Sequence, residues 1–108
     1  MKYLMLVCVD PSLEPDVQEG DMDAWLERAG TARQIGNELC PPSDGWTIRL
    51  RGGKPFVTDG PFAETKEIVA GFDLLECDCD EEAQAIAAAH PVARFGAIEV
   101  RRFASRRD

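Results

Sequence analysis

The sequence contains a single histidine, no long apolar run and fewer basic than acidic residues, and each shortage argues against a class of function. With one histidine, the ligands of a metal ion would be mainly carboxylates, and no metal-ligand spacing is present, so we predict no metal site. No apolar run approaches the roughly 20 residues of a membrane span, so we predict no association with a membrane. Twelve Lys and Arg against 20 Asp and Glu leave a formal net charge of −8, which disfavours direct binding to nucleic acid.

Motifs of several familiar chemistries are also missing. The sequence has no phosphate-binding glycine loop, no dinucleotide fingerprint and no Gly-x-Ser-x-Gly elbow, and we predict no cofactor. Its four cysteines include no Cys-x-x-Cys pair, which favours free thiols in a reducing cytoplasm. The apolar start of the chain is short, no small-residue cleavage site follows, and Asp10-Pro11 ends it as a turn would. We therefore expect a first strand rather than a signal peptide, and a cytoplasmic protein.

The length of 108 residues and the hydrophobic share of 44% indicate one globular domain over residues 1–108. Lys2–Val9 is apolar on both alternations, which predicts a strand that is covered on both faces. Residues 10–20 carry two prolines and several acidic residues, and they predict a loop.

A helix is predicted after this loop, with Asp21 or Asp23 as its N-cap. Its apolar stripe continues to Ile35, and Gly36-Asn37 offers a stop. The stripe consists of Met22, Trp25, Leu26, Ala29, Ala32 and Ile35.

A β-hairpin is predicted in the middle of the chain. Trp46, Ile48 and Leu50 alternate with polar residues, and Gly52-Gly53 is typical of a two-residue turn of the primed type. Residues 54–58 would form the returning strand, and Pro55 favours an edge position for it.

Two more strands and a second helix are predicted in the remaining chain. Residues 68–77 form a strand that is apolar on both faces, and Gly71 marks a bulge or a close backbone contact. Asp78 or Asp80 would cap the helix, and its buried stripe holds alanines and Ile86. The helix would end before Pro91. Residues 97–103 form the last strand.

The predicted order is strand, helix, hairpin, strand, helix, strand. It fits an α+β fold with a ferredoxin-like, split βαβ antiparallel sheet, two helices on one face and an added hairpin. Two helices cover only one face, whereas strands near both ends of the chain are apolar on both faces. We therefore predict a homodimer through the uncovered sheet face. The basic cluster Arg101, Arg102, Arg106 and Arg107 is interpreted as a solvated chain end.

A sharp turn is predicted between the hairpin and the strand that follows it. Pro61 excludes regular structure, Gly60 permits a positive φ, and the Asp59 carboxylate would be held at the sheet rim. The stretch Val57-Thr58-Asp59-Gly60-Pro61-Phe62-Ala63-Glu64-Thr65-Lys66-Glu67 resembles the signature of the DGPF-domain branch of the YCII-related proteins. The resemblance extends more loosely from the first predicted strand to the last. It implies a dimeric α+β barrel and an unassigned reaction.

Asp59 and His90 are the predicted catalytic residues. A carboxylate can orient an imidazole for proton transfer near neutral pH, and the resemblance implies a His–Asp pair in a cleft. The alternative for His90 is a structural, solvent-exposed residue at a helix end, where the helix dipole favours the imidazolium. The predicted substrate-binding residues are Gly60, Pro61, Phe62, Glu64, Thr65 and Lys66.

Three functions stay open from the sequence. The first is a small cofactor-free enzyme that acts on a small molecule with the Asp59–His90 pair. The second is a noncatalytic regulatory or ligand-binding module, for which the resemblance implies association with a sigma factor. The third is a dimeric domain whose Asp-Gly-Pro-Phe motif serves folding.

Overall fold

A computed structural model describes residues 1–61, 63 and 65–105. They form a four-stranded antiparallel sheet and a separate two-stranded sheet. The elements in chain order are β1 (Lys2–Val9), α1 (Asp21–Ala29), β2 (Arg33–Glu38), β3 (Trp46–Arg51), β4 (Lys54–Asp59), β5 (Ile68–Glu76), α2 (Asp80–Ala88) and β6 (Ala97–Arg102), with short 3-10 turns at Gly30–Ala32, Pro42–Asp44 and Pro91–Arg94.

The order β2-β5-β1-β6 in the larger sheet is that of a ferredoxin-like fold. Each βαβ half places its helix on the same face, and the hairpin β3–β4 is inserted between the halves. The predicted α+β class and split βαβ topology are confirmed. No helix in the described ranges is long and apolar enough to cross a membrane.

The core lies between the helices and one face of the sheet. On β1, Tyr3, Met5 and Val7 are buried beneath the helices, whereas Leu4 and Leu6 are half-buried on the other side. The predicted alternation of β1 is therefore confirmed. The other buried members of the core are Trp25, Ala29, Leu75, Cys77, Ala83, Ile86 and Ala87.

The first helix is shorter than predicted, and the prediction that it continues to Ile35 is wrong. Gly30 adopts a φ of 53°, which residues with a Cβ rarely adopt, and the helix ends there. The chain then forms β2, in which Ile35 pairs with Leu74 of β5. Tertiary pairing along β5 overrides the helical spacing of the apolar residues.

The predicted helix caps, Asp21 or Asp23 and Asp78 or Asp80, are also wrong. Gly20 precedes α1 and Cys79 precedes α2, and neither position has a side-chain cap hydrogen bond. Asp21 lies inside the first turn, where its carboxylate accepts a hydrogen bond from the Gln18 N–H at 2.7 Å. Asp80 likewise begins α2, so both carboxylates lie at the positive end of a helix dipole.

The hairpin turn has the predicted geometry. Gly52 and Gly53 both have positive φ, 56° and 78°, as a type I′ turn requires. The hairpin pairs with no other strand of the described chain and stands apart from the main sheet. The principal extents are 47 × 45 × 18 Å, and the radius of gyration is 16.1 Å. A compact domain of this length would have a radius of about 13 Å, so the molecule is broad and thin.

The sheet face that points away from the helices is apolar on its central strands, and no helix of the described chain covers it. We call it the open face. Leu4 lies opposite Leu74 and Leu6 lies opposite Phe72, and directly opposed residues share a face. On the edge strand β6 the same face carries Arg101 and Glu99. Its apolar members are Leu4, Leu6, Cys8, Ile35 (58% exposed), Val69, Phe72 and Leu74.

Gly71 lies beside a bulge, as predicted. Val7 pairs with Gly71, and the next residue, Cys8, pairs with Val69, so one residue of β5 is left over. A Cβ on Gly71 would also approach the Asn37 carbonyl oxygen to 3.1 Å.

Candidate functional site

The Asp-Gly-Pro turn is tied to the base of the hairpin. Asp59 is the last residue of β4, is exposed, and pairs with Trp46. The Gly60 N–H donates to the Gly45 carbonyl at 2.9 Å, and the Gly60 carbonyl accepts from the Thr47 hydroxyl at 2.9 Å. Gly60 has a φ of 94°, which confirms the predicted positive angle. The turn therefore directs the chain out of the hairpin with a defined geometry.

Replacement of Gly60 by alanine should lower the free energy of unfolding by about 1–2 kcal/mol, because an L-residue is strained at positive φ. None of the described residues lies within 4 Å of a Cβ at this position, so strain rather than a clash is expected to cause the loss. Urea denaturation measures the change. Gly45→Ala is the control, since Gly45 has a φ of −98°. Equal midpoints for the two variants would contradict the expectation.

His90 is buried among core residues and not exposed at a helix end. Its exposed fraction is 3%, and its ring meets the Trp25 ring edge-on at a centroid distance of 4.8 Å. Its Nδ1 accepts a hydrogen bond from the Val92 N–H at 3.1 Å, which caps the turn that follows. Burial lowers the pKa of His90, and the nearby Asp73 carboxylate opposes this only in part. The neutral imidazole is therefore favoured, against the expected imidazolium.

The buried imidazole predicts a pH dependence of stability. The folded-state pKa of His90 lies below the value of the unfolded chain, which is about 6.5. The unfolded state then binds more protons as pH falls below that value, so stability is lost in acid. His90 lowers the free energy of unfolding by at most about 1.4 kcal/mol for each pH unit of acidification.

His90→Asn removes the titrating ring and keeps a side-chain acceptor for the Val92 N–H. Urea denaturation between pH 7.5 and 5 should show a smaller loss of stability in this variant than in the wild type. Identical pH profiles would show that His90 does not titrate differently in the two states.

The structure does not join Asp59 to His90 within one protomer. No hydrogen bond or ion pair links the two side chains among the described residues, and their environments differ. Asp59 is on the exposed hairpin, whereas His90 is buried in the segment after α2, beside Trp25 of α1. The predicted catalytic pair would need a contact that a single protomer does not provide, and it stays a prediction.

A different cluster lies at the end of β1. Asp10 is 8% exposed, and its Oδ1 accepts hydrogen bonds from the Ser12 N–H at 2.9 Å and the Ser12 hydroxyl at 2.7 Å. Its Oδ2 is buried and receives no hydrogen bond from the described residues. The Lys66 ammonium lies 3.7 Å from Oδ2, an ion pair beyond hydrogen-bond distance. The Ser12 hydrogen bonds, and then Lys66, lower the pKa of Asp10.

Two of the predicted binding residues, Thr65 and Lys66, follow the turn as the chain returns to the main sheet. The Lys66 side chain is 84% exposed, and the Thr65 hydroxyl donates to the Glu67 carbonyl. Gly60 and Pro61 begin this segment. The predicted residues Phe62 and Glu64 lie outside the described residues. The structure thus brings Lys66 to Asp10, a residue that the sequence had indicated only as a turn.

Cys8 lies on the open face next to this cluster. Burial raises the pKa of its thiol, and the Glu99 and Glu67 carboxylates raise it further. The thiol is therefore protonated at neutral pH and is a poor nucleophile. At this rim of the open face, Asp10 and Lys66 form an ion pair at 3.7 Å.

Two shallow grooves lie elsewhere, between α2 and β6. The larger has a volume of about 370 Å³ and is lined mostly by alanines, Ile98 and Val100. The second, of about 270 Å³, contains the Tyr3 hydroxyl, which donates to Asp80 at 2.6 Å. The carboxylate of Asp80 is already paired there with Arg102 at 3.7 Å. Within the described ranges, no group of three or more His, Cys, Asp or Glu side chains is arranged to hold a metal ion.

Comparison with known proteins identifies relatives over nearly the whole chain. The YCII-related domain matches residues 1–105. An uncharacterized protein of Rhizobium meliloti (strain 1021) is 40% identical over 65 residues, which are 58% of this chain and 52% of that protein. The match thus spans about half the length of that relative.

Among solved structures, the chain is similar to 5-chloro-2-hydroxyhydroquinone dehydrochlorinase from Burkholderia phenoliruptrix AC1100 in complex with 2,5-dihydroxybenzoquinone. The TM-score is 0.46, the sequence identity is 16%, and the match covers 96% of this chain and 94% of that one.

Proposed function

The chain belongs to the YCII-related domain family, and we propose that it acts as a homodimer that binds a small molecule beside the joined open faces. Asp10 and Lys66 form the polar rim of the proposed site. The observation that carries the proposal is the buried Asp10 carboxylate, whose Oδ2 has an ion-pair partner and no hydrogen-bond donor among the described residues.

The open face supports the proposal of a dimer. It is a continuous apolar surface on two central strands, and its neighbour Ile35 is 58% exposed. Exposed apolar surfaces of this kind in soluble proteins mark interaction sites. Packing two such faces together would close an α+β barrel and shield the rim at Asp10 from bulk water.

The proposed ligand carries a hydrogen-bond donor and an acidic group. A buried carboxylate oxygen without a donor is costly, and a ligand hydroxyl or amine would satisfy Asp10 Oδ2. The Lys66 side chain is 84% exposed, and its ammonium would pair with an anionic group of the same ligand. The lowered pKa of Asp10 suits an acceptor that orients the ligand better than a general base. Ligand binding is therefore favoured over catalysis.

The proposal is tested by thermal denaturation in the presence of a panel of small hydroxy acids and acidic phenols. A compound at 100 times its dissociation constant stabilises the folded protein by about 2.7 kcal/mol. Asp10→Asn and Lys66→Gln should each reduce the shift in melting temperature, because each removes one charge of the proposed site.

Asp44→Asn and Lys54→Gln are matched controls, since both residues are exposed and lie away from the Asp10 rim. Both control variants should show the same ligand-induced shift in melting temperature as the wild type. The proposed site is wrong if every active compound stabilises the Asp10 and Lys66 variants as much as the wild type.

Catalysis by Asp59 and His90 and association with a sigma factor stay predictions from the sequence. A cytoplasmic location also stays an expectation. Asp59→Asn separates the open alternatives: a loss of turnover of an identified substrate would favour the enzyme, and a lowered melting temperature with unchanged ligand binding would favour a folding role for the motif.

A further inference from the structure

The hairpin carries a large exposed apolar surface. We call residues 46–59 the arm. Ile48 lies opposite Val57 and Trp46 lies opposite Asp59, so these side chains share one face, which we call the arm face. Its large apolar members are Trp46 at 70%, Ile48 at 63%, Leu50 at 64% and Val57 at 61% exposed.

The arm lacks support from its own protomer. A two-stranded hairpin is marginally stable alone in water and needs a surface to pack on. In the described chain, β3 and β4 pair only with each other and not with the larger sheet. An exposed apolar surface on an unpaired hairpin promotes aggregation unless another surface covers it.

The charge of the arm indicates what covers it. The arm carries three basic residues and one acidic residue, a formal charge of +2. Since the whole chain has a net charge of −8, the remainder carries −10. The three basic residues lie on the face opposite the arm face, where Arg49 pairs with Phe56 and Arg51 pairs with Lys54. The net charge of the arm therefore attracts the acidic body of a second copy of the same chain, while the apolar arm face makes the contact.

The end of the arm leads to the proposed dimer interface. After β4 the chain turns at Gly60 and returns to β5, and on the way Lys66 pairs with Asp10 at the rim of the open face. The arm therefore leaves the body beside the surface that a second copy would cover. In a twofold dimer each arm would then have the partner's body within reach, by symmetry.

We propose that each arm crosses to the second copy and packs its arm face on the partner. This inference rests on the homodimer proposed above and adds a second contact to the joined open faces. Because Asp59 belongs to the arm face, docking carries the carboxylate of the Asp-Gly-Pro turn into the interface between subunits. The motif thereby acquires a role in assembly.

The dissociation constant of the dimer tests the proposal. Ile48→Asp places a charge in the centre of the arm face and should weaken dimerisation by at least about tenfold, as loss of a central interface residue does. Phe56→Asp is the matched control, because Phe56 is 54% exposed on the opposite face of the same hairpin. Phe56→Asp should change the dissociation constant of the dimer less than threefold. Sedimentation equilibrium measures both, and equal constants for Ile48→Asp and wild type would overturn the proposal.

Quenching of tryptophan fluorescence provides a second measurement, which is made on the wild type and needs no substitution. Trp25 is 2% exposed and Trp46 is 70% exposed in the protomer, so acrylamide reports mainly on Trp46. Trp46 should be protected at concentrations where the wild type is dimeric and should become quenchable on dilution. A dimer in which Trp46 stays quenchable would disprove arm docking and leave the sheet-face dimer standing. A wild type that is monomeric throughout would disprove both.

Discussion

Leu6→Glu should convert the proposed dimer into a folded monomer. Leu6 lies in the middle of β1, between Phe72 on β5 and Glu99 on β6. In the monomer the new carboxylate would reach solvent, because neither helix of the described residues lies on this side of the sheet. In the dimer it would be buried without a partner, which costs about 3–5 kcal/mol. The dissociation constant should therefore rise at least about a hundredfold.

Size-exclusion chromatography with light scattering, at micromolar protein, measures the expected change in mass. Leu13→Glu is the matched control, because Leu13 is 51% exposed in the loop after β1 and the same charge is introduced there. The control should stay dimeric. A wild type that is monomeric, or a Leu6→Glu variant that dimerises as tightly as the control, would contradict the homodimer.

Much of the fold was predictable because its signals are local. The two apolar alternations of β1 follow from a side-chain period of two, and the structure buries one of them and half-buries the other. Gly52-Gly53 encodes its own turn through the positive φ that glycine alone adopts without strain. The turn at Gly60 was predictable for the same reason.

The strand β2 could not be predicted in this way. Its sequence is mostly polar, and Ile35 continues the helical spacing of α1 as well as it fits a strand. The helix ends at Gly30 because of a backbone angle, and β2 forms because β5 offers it an edge. The second cause depends on residues distant in the sequence, since Ile35 pairs with Leu74. The split βαβ topology was therefore correct although one of its strands was missing from the prediction.

The candidate site also depends on contacts between residues that are distant in the sequence, which could not be predicted. The sequence indicated Asp10 as a turn residue, and the Asx turn with Ser12 agrees with that. What it did not indicate is that Lys66 would return to Asp10 from 56 positions away. His90 was expected at an exposed helix end, but Trp25 packs against its ring. A polar residue directly after a buried strand, followed by Pro and Ser, is the signal that would have found Asp10.

Gly36→Ala should destabilise the protein by about 3 kcal/mol or more. A Cβ at this position would collide with the Asp73 carboxylate and would lie 2.7 Å from the Phe72 carbonyl oxygen and 2.7 Å from the Arg33 guanidinium. Asp73 is buried and pairs with Arg33 at 2.6 Å. Overpacking costs about 1–3 kcal/mol, and separating a largely buried ion pair adds to it. The backbone contact prevents relief by side-chain movement alone.

Urea denaturation of Gly36→Ala beside Gly45→Ala measures this effect. Gly45 also has an extended backbone, and a Cβ there would make only an ordinary contact of 3.4 Å with Pro42. That control should change the free energy of unfolding by no more than about 0.5 kcal/mol. If the two glycines tolerate alanine equally, then β2 does not pack against Asp73 as described. Because Asp73 is the charge that acts on His90, a large loss only in Gly36→Ala would also link β2 to the environment of the buried imidazole.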